Sequence, residues 1–129
     1  MDDKNAVLVT ILNDADILTA AAETVVVYGK PIPFGHRLLV LTSFNDLYSL
    51  SVSNSPTLRI WAQWSVDGVS WKDFATDLNT TITATGLARC TALTANNDFG
   101  PFVRINVSLT TTGGAGSARL SVVANFRLY

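Results

Sequence analysis

Two segments near the C-terminal end restrict the fold more than any other feature of the chain. In residues 102–109, Val103, Ile105, Val107 and Leu109 alternate with Arg104, Asn106 and Ser108, the period of two that sends successive side chains to opposite faces of a strand. Residues 118–128 repeat the pattern, with Leu120, Val122, Ala124, Phe126 and Leu128 facing inward and Arg119, Ser121, Asn125 and Arg127 outward. Thr110-Thr111-Thr112-Gly113-Gly114-Ala115-Gly116-Ser117 lies between them and reads as the flexible loop of a hairpin.

The rest of the chain follows suit. Short runs of Val, Ile, Leu, Thr and aromatics recur between clusters of Gly, Pro, Asn, Asp and Ser, giving candidate strands at residues 7–12, 24–28, 37–44, 48–52, 58–66, 71–75, 80–84, 102–109 and 118–128. No long amphipathic helix competes. The spacing predicts an all-β fold, an antiparallel β-sandwich of jelly-roll type. Residues 15–23 are alanine-rich and leave a helical turn and an irregular strand both open. Residues 37–44 are apolar at almost every position, the mark of a strand covered on both sides, by sheet or by partner. Pro31, Pro33 and Gly35 make residues 29–35 a constrained loop.

At 129 residues the chain has room for one domain, with residues 1–6 as a candidate flexible arm. Its composition excludes several functions. One histidine, His36, and one cysteine, Cys90, cannot assemble a His/Cys zinc site within a chain, and nucleophilic triads would all need that one histidine. Nine Lys and Arg against ten Asp and Glu provide no basic field for nucleic acid or an acidic membrane. The apolar run at residues 7–12 is too short for a signal peptide or membrane span, so synthesis in a cytoplasm is expected, and the sequons at Asn79 and Asn106 read as coincidental. Only 15% of residues are charged and the mean hydropathy is +0.30, a surface poorly suited to remaining monomeric.

Leu58-Arg59-Ile60-Trp61-Ala62-Gln63-Trp64-Ser65-Val66 alternates and runs into Asp67-Gly68, a dipeptide suited to a tight hairpin turn. With those two residues as the loop, Val66 pairs with Val69, Trp64 with Trp71 and Trp61 with Phe74. Trp64 and Trp71 then join Leu58, Ile60, Ala62 and Val66 on the core face. Trp61 and Phe74 fall outward among Arg59, Gln63, Ser65, Ser70 and Lys72, where folding needs no aromatic pair, and that face is the first candidate interface.

The segment Trp64-Ser65-Val66-Asp67-Gly68-Val69-Ser70-Trp71, followed by the strands at 102–109 and 118–129, resembles small β-sandwich virion proteins of tailed bacteriophages. The resemblance covers roughly the C-terminal half, and similar hairpins occur in carbohydrate-binding and discoidin-like sandwiches. It implies a capsid cement or decoration protein, or a neck or tail component, located in the virion and working by contact with other virion proteins. It also implies a homo-oligomer, with a trimer as the specific expectation. It supplies no catalytic or ligand residues.

Chemical motifs are few. Asn13-Asp14-Ala15-Asp16 lacks the glycine and late glutamate of a calcium loop and reads as a solvated turn. Asp73 and Asp77 could pair as glycosidase carboxylates, yet nothing else joins them. His36 at the start of an apolar strand reads as a backbone-bonded residue rather than a pH sensor, and Cys90 as a structural thiol. Gly113-Gly114-Ala115-Gly116 lacks the lysine of a phosphate loop. No catalytic residue, cofactor or metal site is therefore expected.

Six arginines outnumber three lysines, and Arg59, Arg104, Arg119 and Arg127 take outward strand positions. Arginine suits planar interface contacts, although these residues could equally serve solubility and blunt sheet edges. The expected protein interface thus comprises Arg59, Trp61, Phe74, Arg104, Arg119 and Arg127. Three functions follow: a structural virion protein, a carbohydrate-binding module stacking sugars on Trp61 and Phe74, and a small enzyme using Asp73, Asp77 or His36. Composition disfavours the last.

Overall fold

A computed structural model describes residues 6–33, 38–51, 56–74, 79–90, 93–94 and 100–128. The strands are β1 (Ala6–Thr19), β2 (Thr24–Val27), β3 (Ile32–Pro33), β4 (Leu38–Leu50), β5 (Thr57–Ser65), β6 (Lys72–Asp73), β7 (Asn79–Ile82), β8 (Gly86–Arg89), β9 (Leu93–Thr94), β10 (Phe102–Thr110) and β11 (Gly116–Leu128). All pairings are antiparallel, and there is no helix among the described residues.

The first sheet runs β1-β11-β4-β8, with β9 also on β4; the second runs β2-β10-β5-β6, with β3 on β10 and β7 on β5. The chain therefore crosses repeatedly between the sheets: β1 in the first, β2 and β3 in the second, β4 in the first, β5 to β7 in the second, β8 and β9 in the first, β10 in the second and β11 in the first. This is the wrapping of a jelly roll. It also corrects the hairpin expected at residues 110–117. β10 and β11 do not pair; each takes the centre of its own sheet, so their two apolar faces meet across the sandwich instead of lying side by side. The loop is a crossover, held where the Gly116 N–H donates to Thr19 Oγ1 at 2.9 Å.

The core lies between the inner faces. The first sheet supplies Ile17, Leu41, Leu47, Ala118, Leu120, Val122, Ala124 and Phe126, and the second supplies Leu58, Ile60, Ala62, Phe74, Ile82, Val103, Ile105, Val107 and Leu109, all buried. The alternation thus assigned the inward faces of β5 and β10 correctly, and that of β11 through Phe126; the Leu128 side chain lies outside what is described. Cys90 is buried too, with its Sγ accepting a hydrogen bond from Asn45 Nδ2 at 3.2 Å.

Several elements depart from expectation for local reasons. β1 does not end at residue 12. It continues to Thr19 through register shifts between Thr10 and Ala15, with Asp14 at φ 48°, so the expected Asn13–Asp16 turn is a bulge inside a strand. The strands expected at 37–44 and 48–52 merge into β4, whose register shift opposite Arg119 and Leu120 accommodates Tyr48. On residues 38–44 the chain itself covers only one face: Leu41 is fully buried, while Phe44 on the opposite face is 37% exposed, so cover by a second sheet is not what makes the segment apolar. β8 and β9 were not expected, because Gly86-Leu87-Ala88-Arg89 and Leu93-Thr94 are short and carry almost no β-branched residues. Of the arm expected at residues 1–6, only Ala6 is described, and it begins β1. His36, Arg37 and Asp77 lie outside the described residues.

The tryptophan hairpin forms in a different register. Gln63 pairs with Asp73 and Trp64 with Lys72, one residue away from the pairing that a two-residue loop would give. A wider loop spans residues 66–71 and is held by side chains. Ser65 Oγ accepts the N–H groups of Asp67 and Gly68 at 3.2 and 2.8 Å, and Asp67 Oδ1 accepts those of Val69 and Ser70 at 2.9 and 3.0 Å. Gly68 takes φ 79°, open to glycine at little cost. Because the side-chain period is two, this one-residue shift exchanges the faces of β6 and its flanks. Phe74, expected outward, is buried against Ala62; Trp71, expected in the core, is outward; Val66 and Val69 stand exposed in the loop. Trp64 is half-buried against the core with the Lys72 ammonium 6.0 Å from its ring centroid.

Candidate functional site

Arg59, Trp61 and Gln63 of β5 alternate outward between core residues Leu58, Ile60 and Ala62, and Arg104, Asn106 and Ser108 of β10 do the same between Val103, Ile105 and Val107. The register lays Arg104 beside Gln63, Asn106 beside Trp61 and Ser108 beside Arg59. A ladder of arginine, aromatic and amide side chains therefore covers the outer face of the second sheet, at positions the core does not use.

Gln63 is the hub. Its Oε1 accepts from Arg104 Nε and Nη2 at 2.9 and 2.7 Å and from Asn106 Nδ2 at 2.9 Å, while its Nε2 donates to Asp73 Oδ1 at 2.7 Å. The Arg104 guanidinium lies between two rings, 4.4 Å from the Tyr28 centroid and 4.3 Å from that of Trp71, in cation–π contact with both. Desolvation under these rings lowers its pKa, countered by the charge interaction with Tyr28. It remains a cation at any ordinary pH.

One further contact ties the layer to the backbone. Asn106 Oδ1 accepts the Gly29 N–H at 3.1 Å where the chain passes between β2 and β3. A Cβ on Gly29 would collide with the Ile105 carbonyl oxygen, so only glycine allows that approach. Nearby, the Arg59 guanidinium sits 4.4 Å over the Trp61 ring and donates to Asn79 Oδ1 at 3.0 Å. Trp61 retains only 7% exposure.

Of the six residues expected to form an interface, the fold brings together Arg59, Trp61 and Arg104. Phe74 leaves the set for the core through the register shift described above. Arg119 and Arg127 lie on β11 in the other sheet, outward as expected but remote from the rest. Arg119 forms a bidentate pair with Asp14, Nε to Oδ1 at 2.5 Å and Nη2 to Oδ2 at 2.6 Å. That pair lowers the Asp14 pKa and raises that of Arg119, chiefly through its hydrogen bonds. Tyr48, whose hydroxyl lies 3.0 Å from Ser121 Oγ, stands beside it over a shallow depression.

Sequence reasoning placed Gln63 on this face but missed Tyr28, Trp71, Asp73 and Asn106 as members of the layer. Asn106 was visible as an outward position of a well-patterned strand, and only its neutrality hid it. Tyr28 and Trp71 arrive from loop segments with no period to read. Among the described residues no group of His, Cys, Asp and Glu could hold a metal ion.

No protein-family model matches the chain and no curated protein matches its sequence. Solved structures do share its fold. The PBSX exported protein XepA superposes with a TM-score of 0.61 at 9% identity over 95% of this chain and 37% of its own. The VP2 subviral particle of infectious bursal disease virus gives 0.61 at 13% identity, over 95% of this chain and 32% of that one. A mutant VP2 of the same virus, in derived T=1 particles, gives 0.59 at 13% identity over 97% and 32%. The chain thus spans about a third of the length of these structures, and the likeness is one of fold.

Proposed function

We propose that this chain is a structural virion protein, not an enzyme, and that it acts as a capsid cement or decoration protein, or as a neck or tail component, of a tailed phage. The observation that carries this reading is the outer layer of the second sheet. Arg104, Tyr28, Trp71 and Gln63 are locked into one geometry by mutual contacts outside the core, over the fully buried Asn106. Arginine and the large aromatics are the side chains that dominate binding energy in protein interfaces, most of all when held rigid beforehand. The shared jelly roll with VP2, found in virus-derived particles, supports the same reading.

The carbohydrate-binding alternative rested on Trp61 and Phe74 as a stacking platform. Both are 7% exposed and they face opposite sides of the second sheet, so that pair offers sugars no ring surface.

Co-sedimentation of the purified chain with assembled particles of the virus that encodes it tests the proposal. Saturable binding, weakened at least tenfold by Arg104→Ala with the fold retained, is expected. Absence of binding to any particle form contradicts it.

A further inference from the structure

The outer layer contains a row of side chains whose charges are complementary to their own mirror order. β10, β5 and β6 are adjacent, and their register sets Arg104 beside Gln63 and Gln63 beside Asp73. Across the strands the row reads cation, neutral amide, anion. Arg104 and Asp73 of one chain stand two strands apart, roughly 9–10 Å. The Gln63 amide bonds both and holds them at that separation. Among the described residues no carboxylate forms an ion pair with Arg104, and the Asp73 side chain is exposed.

We propose that a second copy of the chain docks on this face about a two-fold axis running along β5 over Gln63. Rotation by half a turn about such an axis sets β5 of one copy over β5 of the other and β10 of each over β6 of the other. Arg104 of each copy then faces Asp73 of the other, giving two ion pairs from one row. The sheets stack with their strands aligned, as in a sandwich. Arg104 enters the contact already fixed by Tyr28 and Trp71, so little side-chain freedom is lost on docking. The row is complementary to its own copy under this rotation, and that self-complementarity is what selects a second copy. The other well-formed arginine, Arg119, already has its carboxylate in Asp14 and offers no such opening.

The inference rests on the reading of this layer as an assembly surface, and it yields two-fold symmetry in place of the trimer implied by the resemblance to cement proteins. Sedimentation velocity over a concentration series is the test. The wild-type chain is expected to dimerise. Arg104→Glu sets two acidic groups against each other in each pair and Asp73→Arg sets two cations, so each alone is expected to raise the dimer Kd about 100-fold or more. In an equimolar mixture of the two variants both cross-pairs become opposite in sign, and a heterodimer of near wild-type affinity is expected. A wild-type chain that stays monomeric, single variants that dimerise normally, or a mixture that fails to recover would each overturn the two-fold contact. If circular dichroism shows Arg104→Glu unfolded, Asp73→Asn against Asp73→Arg decides, with the reversal expected to weaken dimerisation more than the neutral change and equal effects overturning the proposal. Particle binding by a chain that fails these tests removes only this contact and leaves the virion reading in place.

Discussion

Asp67 has the most demanding single-residue role in the second sheet's hairpin, because its carboxylate stands in for strand pairing across a six-residue loop. The backbone N–H groups of Ser70 and Val69, then the Ser65 hydroxyl, lower its pKa from 3.8. A depressed folded value means that the unfolded chain binds the proton more readily. The stabilisation is therefore complete above pH 3.8 and is lost as pH falls through the lower folded value. Asp67→Ala should melt earlier than wild type at pH 7, and thermal melts from pH 7 to pH 2 should show the two converging at the acid end. A gap that stays constant would contradict that role. A second residue makes the opposite point. Ser43 is fully buried on the inner face of β4, and its Oγ finds no hydrogen-bond partner. Ser43→Ala removes a desolvated hydroxyl without leaving another group unpaired, so chemical denaturation should show it neutral to about 1 kcal/mol stabilising.

Strand register decides which aromatic does what. Phe74→Ala should cost about 3–5 kcal/mol, as for other aromatic truncations in a packed core. Trp71→Ala opens no core cavity and should cost well under half of that while weakening assembly, since its ring packs on the Arg104 guanidinium, 4.3 Å from centroid to Cζ. Urea titrations of the two variants check this directly, and equal losses would contradict the observed register. The same residues explain how much of the structure could be read in the sequence. The inward faces of β5, β10 and β11 were legible because each alternates over many residues and carries its own evidence. Pairing between segments has no such internal record. Asp67-Gly68 suggested a two-residue loop, and nothing in a residue list announces that Ser65 Oγ and Asp67 Oδ1 will cap a wider one. One residue of slip then moved Phe74 from the candidate site to the core and Trp71 from the core to the site. The partition of β10 and β11 into different sheets was hidden for a related reason: a glycine-rich link serves a hairpin or a crossover equally well.

For the molecule as a whole, the jelly roll buries one face of each sheet and leaves two outer faces with different characters. The first sheet presents the closed Asp14–Arg119 pair among exposed Leu8, Phe44, Tyr48 and Leu87. The second presents the preorganised arginine and aromatic layer, anchored to the strand connection at Gly29. Gly29→Ala should disturb that anchor by forcing the chain away from Ile105, at about 1–3 kcal/mol, the usual range for overpacking. Thermal melts would register it, and an unchanged melting temperature would show that the approach is less constrained than it stands. The central claim is that this layer exists for assembly into a virion. Quantitative mass spectrometry of gradient-purified particles from the virus that encodes the chain tests that claim most directly. The account predicts the chain in the particle fraction, at a fixed copy number relative to the major capsid, neck or tail protein, with Arg104→Ala particles depleted of it. A chain confined to the soluble fraction, with none in the particles, would contradict it.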